Sequence, residues 1–326
     1  MKKSFFVSIS LLIIIFALSL QIERPKRSQE IQITESISSV ENKKDIDPPL
    51  LIEEDIINPK KVVEQVEIKS KVTKTKDLNT ITAEAYLIGN LNDGKIYIEN
   101  NINQVFPIAS LSKLFTALVV VHSIDEEEDN KNKIIITKSI LNTYGEAGHL
   151  KEGDKFTARE LLYPLLLESS NDAAEAIAQS FGYEKFIEIM NSLALEIGMN
   201  RTSFQGASGL NPSNISNIKD LFTLSKYLFN NEKGLLEMTK QKEINLASST
   251  DHSSYIFTSI NPFVDYKPFI GGKTGRTEEA KESMISLFNI KKDSIEYPVA
   301  VIILRSEFGE REMDTERVLE KGMKKI

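Results

Sequence analysis

The order of β-prone and helix-prone segments constrains this chain most: strands open the patterned region, helices fill its middle, and strands return near its end. Residues 83–88 and 95–99 are β-prone and flank Asn90-Leu91-Asn92-Asp93-Gly94, whose Asp-Gly pair is a hairpin signal. Between residues 111 and 121, Leu114, Phe115, Leu118, Val119 and Val121 have the spacing of a mostly buried helix. Residues 157–167 and 173–181 also predict helices, and residues 183–197 predict an amphipathic helix closed by Gly198. Residues 284–290 and 297–304 predict strands joined by a polar turn, with a short helix from about residue 315. Strands at both ends of a helical insertion imply an α+β fold: an antiparallel sheet built from both chain ends, flanked by helices, with a helical subdomain.

Ahead of that region the composition changes twice. Lys2 and Lys3 precede a run without charge over residues 4–20, and Glu23, Arg24, Lys26 and Arg27 follow it. At about 1.5 Å per residue such a helix reaches roughly 25 Å, enough to cross a thin hydrocarbon core. Residues 1–22 are therefore expected to be an N-terminal membrane anchor, with a signal segment cleaved near Ala17-Leu18-Ser19 as the competing reading. Either puts the remainder outside the cytoplasm, held at the cell membrane in the first case and secreted in the second. A buried core helix fits poorly, because the segment is apolar on all sides and sits behind two lysines. Residues 23–80, with Pro25, Pro48, Pro49, Pro59 and many charges, have no sustained periodicity and predict a flexible polar linker. Its random-coil span is on the order of 40 Å. Residues 81–326 are left as the folded domain.

The net charge of -7, with Lys and Arg scattered among acids, supplies no basic stripe and makes nucleic acid an unsuitable partner. Cysteine is absent, which excludes disulfides, thiolate nucleophiles and Cys-ligated metals. His122, His149 and His252 are the only imidazoles: the first is expected to end a helix, the second to be exposed in a turn, the third to lie in a loop. A Ser-His-Asp hydrolase is hard to build from them. The acidic residues 125–129 lack EF-hand spacing and are expected to form a solvated loop. No metal and no organic cofactor is implied.

Three short motifs carry chemistry. Ser110-Leu111-Ser112-Lys113 stands where an extended segment enters the apolar helix, so that residues three apart share a face and an amine can reach the hydroxyl. Lysine is a base near neutral pH only when burial or a second cation lowers its pKa. Ser169-Ser170-Asn171 offers a hydroxyl and an amide for a proton relay and for holding a substrate amide. In Gly271-Gly272-Lys273-Thr274-Gly275, just before the C-terminal strands, Lys273 supplies charge for a substrate carboxylate and Gly275 lets a substrate backbone approach. Decoys exist: Ser216-Asn217-Ile218-Lys219 also fits Ser-x-x-Lys, and Ser259-Ile260-Asn261 fits Ser-x-Asn. Ser216 is expected to be a helix N-cap ahead of Ile218, Leu221 and Phe222. The ordered set, not any single motif, carries the signal.

With their flanks, Phe106 to Leu114, Leu165 to Ala174 and Gly271 to Gly275, these motifs resemble the D-alanyl-D-alanine carboxypeptidase family of low-molecular-mass penicillin-binding proteins, a likeness running from about residue 82 to residue 322. It includes Met190-Asn191 and Ala207-Ser208-Gly209-Leu210. The resemblance implies the penicillin-binding protein and β-lactamase fold, peptidoglycan stem peptides ending in D-Ala-D-Ala as substrates, and β-lactams as acylating inhibitors. It implies Ser110 as the acylated nucleophile, Lys113 as its proton acceptor, and Ser169 and Asn171 as relay and positioning groups. Lys273, Thr274 and Gly275 would bind the terminal carboxylate and backbone, and the N–H groups of Ser110 and Arg276 would form the oxyanion hole. Arg311, in Phe308-Gly309-Glu310-Arg311-Glu312, is a candidate carboxylate ligand, a solvated surface arginine being the alternative.

The chain departs from that family in two places: Arg276 stands where members often carry an aromatic or His, and Glu279-Ala280-Lys281-Glu282-Ser283 stands where a Gly-containing stretch is common. The chain also ends at Ile326 without the extra β-rich domain and C-terminal amphipathic helix of some relatives, so the N-terminal segment is expected to supply membrane attachment. A D,D-endopeptidase differs mainly in how its groove treats the residue after the scissile bond. A class A β-lactamase would need a Glu-x-x-Leu-Asn loop between the second and third motifs, and the chain has none. A non-catalytic wall-binding or sensor protein would be expected to have lost at least one of the motif residues, all of which are present.

Overall fold

The computed structural model describes residues 80–145 and 147–326, all within a compact unit spanning residues 71–326. The expected anchor at residues 1–22 and the linker up to residue 79 lie outside the described residues. Among the described residues no helix is long and apolar enough to cross a membrane.

In chain order, β1 (Ala85–Asn90) and β2 (Ile96–Asn100) form the expected hairpin, and β3 (Phe106–Pro107) leads through a 3-10 turn, Ala109–Ser112, into α1 (Lys113–Ser123). Then follow α2 (Glu126–Lys131), β4 (Ile134–Ile135), α3 (Lys138–Leu141), β5 (Lys155–Phe156), α4 (Ala158–Leu167), α5 (Asn171–Phe181) and α6 (Tyr183–Glu196). A short strand β6 (Ile215–Ser216) precedes α7 (Ile218–Asn231), α8 (Lys233–Lys240) and the hairpin β7 (Glu243–Leu246) and β8 (Tyr255–Thr258). The chain returns to the sheet in β9 (Phe269–Thr277), β10 (Lys281–Lys292) and β11 (Ile295–Ser306), and α9 (Arg311–Met323) follows.

The main sheet has the order β2-β1-β11-β10-β9, antiparallel throughout. The two chain ends meet where β1 pairs with β11, from Ala85 opposite Leu304 to Asn90 opposite Val299. Residues 299–304, Val-Ala-Val-Ile-Ile-Leu, are all buried because both sheet faces are covered. Strand alternation divides them: Ala300, Ile302 and Leu304 join the core under the helical region, while Val299, Val301 and Ile303 pack with Met284, Phe288, Val318 and Leu319 beneath α9. β10 and β11 outrun their apolar stretches and close through Asp293 and Ser294, whose φ of 50° and 65° suit a tight hairpin turn.

Four expectations need correction. The acidic residues 125–129 are not a solvated loop: α2 contains most of them, and buried Asp129 accepts the backbone N–H groups of Ala158 (2.7 Å) and Arg159 (3.0 Å) at the N-terminus of α4. That helix start combines an acidic partner with a Thr157–Glu160 capping box. Ser216 is no N-cap; it pairs in β6 with Phe106, and Asn217 caps α7 by accepting the Asp220 N–H at 2.8 Å. The last helix starts at Arg311, a full turn before residue 315. Finally, Gly271 to Gly275 lie within β9, at the sheet edge, rather than ahead of the strands.

Candidate active site

The 3-10 turn at Ala109–Ser112 carries Ser110 just ahead of α1, and Lys113 is the first residue of that helix. Lys113 is completely buried, and its Nζ reaches Ser110 Oγ at 3.0 Å, Asn171 Oδ1 at 2.7 Å and the Ser208 carbonyl at 2.7 Å. Burial first, and the charge of Lys273 second, pull the Lys113 pKa well below the ordinary lysine value. A neutral amine has two protons and one lone pair. Asn171 Oδ1 and the Ser208 carbonyl can only accept, so in the neutral state the lone pair of Lys113 is left for the Ser110 hydroxyl.

The partners of Lys113 are themselves fixed. Asn171 opens α5 and donates from Nδ2 to the Tyr144 carbonyl at 2.7 Å. The loop carrying Ser208 is tied to α1 by Thr116, which donates to the Ala207 carbonyl at 2.6 Å. Asn214 adds bonds to Ser112 Oγ at 2.9 Å and to the Gly206 carbonyl at 2.7 Å. At Gly209, with φ +86°, a Cβ would fall 1.9 Å from the Ala109 carbonyl oxygen, so only glycine lets this loop lie against the backbone of the Ser110 turn.

Ser169 occupies the turn between α4 and α5 with φ +63°, a conformation uncommon outside glycine, and Ser170 caps α5 through the Ala173 N–H. Ser169 Oγ receives Lys273 Nζ at 2.9 Å; Lys273 also donates to the Thr274 carbonyl at 2.9 Å. Burial, then the Arg311 charge, lower the Lys273 pKa to about 7. Gly275 brings β9 alongside the nucleophile: a Cβ there would lie 3.0 Å from the Ile108 carbonyl oxygen and 3.2 Å from the Ser110 nitrogen. Thr274 is buried beside Lys273.

Arg311 is not fully solvated. Its side chain keeps 21% of its exposure, and Nη1 points to the Gly275 carbonyl at 3.4 Å. Arg276 is more open, lies over the Phe308 ring at 5.1 Å, and borders a cavity of about 670 Å³ with Tyr144, Leu210, Thr277, Glu278, Glu279 and Phe308. A cavity of about 780 Å³ lies elsewhere, around Ser123, Asp129, Lys133 and Phe181, and holds none of the motif residues.

The structure thus brings Ser110, Lys113, Ser169, Asn171, Lys273, Thr274, Gly275 and Arg311 into one site, with Arg276 at its rim. Sequence reasoning assigned no role to the Ser208 carbonyl, the Tyr144 carbonyl or Glu282; backbone acceptors leave no residue-type signal. The histidines stand apart: His122 pairs with Glu232 at 2.8 Å, His149 is exposed, and His252 stacks on Phe156 at 4.7 Å.

A family model described as D-alanyl-D-alanine carboxypeptidase matches residues 69–303. A D-alanyl-D-alanine carboxypeptidase of Bacillus subtilis is 27% identical over 252 residues, 76% of this chain and 63% of the relative. A D-alanyl-D-alanine endopeptidase of Escherichia coli is 32% identical over 163 residues, 49% of this chain and 52% of the relative. The chain therefore spans between half and two thirds of these curated relatives. Among solved structures, the DD-transpeptidase of Streptomyces K15 superposes with a TM-score of 0.67 at 26% identity, covering 75% of this chain and 98% of that one.

Proposed function

This chain belongs to the D-alanyl-D-alanine carboxypeptidase family, and we propose that it is a serine-type enzyme that trims peptidoglycan stem peptides ending in D-Ala-D-Ala. The observation that carries the reading is the surroundings of Lys113 Nζ: two acceptors that cannot give a proton and one hydroxyl that can.

In the proposed reaction the Ser110 hydroxyl proton passes to Lys113 while Oγ bonds to the carbonyl carbon of the penultimate D-Ala. The N–H groups of Ser110 and Arg276 face the developing oxyanion. The proton taken up by Lys113 is then passed by way of the Ser169 hydroxyl to the amide nitrogen, whose C–N bond breaks so that the terminal D-Ala leaves as its amine, while Asn171 holds Lys113 and the substrate amide in place. Water then attacks the ester carbonyl, gives up a proton to the same relay and restores Ser110. Lys273, Thr274 and Arg311 hold the terminal carboxylate, which is strongest when that charge meets more than one donor. β-Lactams, strained amides carrying a carboxylate, acylate Ser110 by the same steps.

A D,D-endopeptidase reading has one supporting observation. The cavity bordered by Tyr144, Leu210, Arg276 and Phe308 is open beside the site and has room for residues beyond the scissile bond. Residues 1–22 are proposed to tether the domain to the outer face of the cell membrane, on the strength of the uncharged run behind Lys2 and Lys3; residues 23–80 then serve as linker and residues 81–326 as the peptidase domain. Fractionation of the chain with and without residues 1–22 tests the tether, and a membrane-bound product lacking them overturns it.

The catalytic test is release of D-Ala from a pentapeptide, beside intact-mass measurement with a penicillin, for the wild type and Ser110→Ala. Release together with a single adduct, both lost in the variant, is the expected result. Folded protein giving neither refutes the reading in favour of a non-catalytic wall-binding protein, and penicillin consumed without an adduct points to a β-lactamase. A cross-linked dimer cleaved in preference to pentapeptide selects the endopeptidase.

A further inference from the structure

The two places where the sequence departs from its family meet in space. Strand register sets Glu282 on β10 directly opposite Arg276 on β9. Glu282 is buried, its side chain retaining 6% of its exposure. Its Oε2 accepts the Gly309 N–H at 3.0 Å, and its Oε1 lies 3.9 Å from Arg276 Nη1 and 4.0 Å from Arg311 Nη1. One carboxylate thus holds the loop that leads into α9 and faces the guanidinium groups on both sides of the candidate carboxylate site. We propose that Glu282 is a positioning residue: it balances the additional cation Arg276 and keeps Arg311 turned toward Gly275, where the substrate carboxylate is bound.

A buried carboxylate is costly to leave without cations, and two guanidinium groups repel when no anion lies between them. Either loss alone therefore disturbs the arrangement. Without Glu282, Arg276 and Arg311 face each other uncompensated, and Arg311 has an exposed carboxylate, Glu312, beside it in sequence to turn toward. Arg311 is also one of the two influences that lower the Lys273 pKa, so its placement is felt at the second lysine. An Asp at position 282 keeps the charge but is one methylene short of the Gly309 N–H.

The inference rests on the proposed function, and the test separates the two. Acylation rates are measured for wild type, Glu282→Gln and Arg311→Gln with a penicillin bearing its free carboxylate and with the methyl ester of the same penicillin. Wild type that forms no adduct overturns the proposed function itself. With wild type active, Glu282→Gln is expected to slow acylation by the free acid about 10-fold while the ester changes less than about 2-fold, and Glu282→Asp to fall between. Combined with Arg311→Gln, Glu282→Gln is expected to add little, because both act through one contact. Equal losses with acid and ester show a merely structural role; faster acylation by the acid shows that Glu282 only competes for the cations; additive losses show that it does not act through Arg311. Each of these outcomes overturns the proposal. If Glu282→Gln does not fold, the Arg276→Gln/Glu282→Gln pair, in which the unbalanced cation is gone, carries the same comparison with the same expected loss for the free acid.

Discussion

Lys113 Nζ lies 3.0 Å from Ser110 Oγ with its other two contacts on oxygens that cannot release a proton, so among its three hydrogen-bond partners only Ser110 can give a proton to the neutral amine. Lys113→Ala is expected to slow acylation by about 10²- to 10⁴-fold, the range for losing a positioned base. Lys113→Arg does not restore it, since guanidinium keeps its proton at any working pH. Stopped-flow acylation by a penicillin measures both, and an active arginine variant refutes Lys113 as the base.

The two lysines give the pH profile opposite limbs. Lys113 works unprotonated, and burial and Lys273 hold its pKa far below the lysine range, so kcat/KM falls as the pH drops and Lys113 gains its proton. Lys273 works protonated against a carboxylate, and its pKa in the empty site is about 7, so binding weakens as the pH rises through that value. Titrating acylation with a free-acid penicillin is expected to show both limbs, and with its methyl ester only the acid limb. An alkaline limb of equal depth for the ester assigns it to another group.

Gly209 is the steric counterpart of this chemistry. With φ +86° and no room for a Cβ against the Ala109 carbonyl, Gly209→Ala is expected to destabilise the fold by about 2 to 4 kcal/mol, combining left-handed strain with overpacking. The Ser110 turn has to move to relieve the clash, so acylation is expected to slow more than 10-fold even well below the melting temperature. Urea titration and acylation rates on the same preparation check the two parts separately; unchanged acylation disproves the link between loop and nucleophile.

What was legible in the sequence follows the strength of each local signal. Long apolar runs marked β10, β11 and α1, and residues 157–167 marked α4, because burial patterns act within a few residues. β9 was hidden because Gly271, Gly272 and Gly275 dilute its β pattern; yet a Cβ at Gly272 would meet the Ile285 carbonyl oxygen at 2.2 Å, so strand pairing there demands glycine. Burial of Asp129 was hidden because its partners are backbone amides of another helix. The motif residues could be placed in order along the chain. Their meeting with the Ser208 carbonyl and with Glu282 required the tertiary fold.

Asp314 clasps the segment that leads into the first strand to the last helix, and its removal tests the closure of the domain. Wholly buried, it accepts the Thr82 N–H at 3.0 Å and hydroxyl at 2.6 Å, the Ala83 N–H at 2.8 Å and the Ser306 hydroxyl at 2.5 Å, and it pairs with Arg317 at 2.9 Å. Burial alone would raise its pKa, but the bonds from Ser306, Thr82 and Arg317 outweigh it and hold the carboxyl below the usual range. A carboxyl depressed on folding stabilises the native state above its unfolded pKa, near 4, and this contribution is lost as the pH falls through the folded value. Asp314→Asn cannot accept as many bonds and leaves Arg317 with one fewer anion, which is expected to cost about 3 kcal/mol, or roughly 6–12 °C in melting temperature at neutral pH. Because only the wild type loses this term in acid, the gap between the two proteins narrows as the pH drops below about 4. Melting curves of both at neutral and acidic pH measure that gap; a gap independent of pH shows that the carboxylate charge is not what holds the segment leading into β1 to α9.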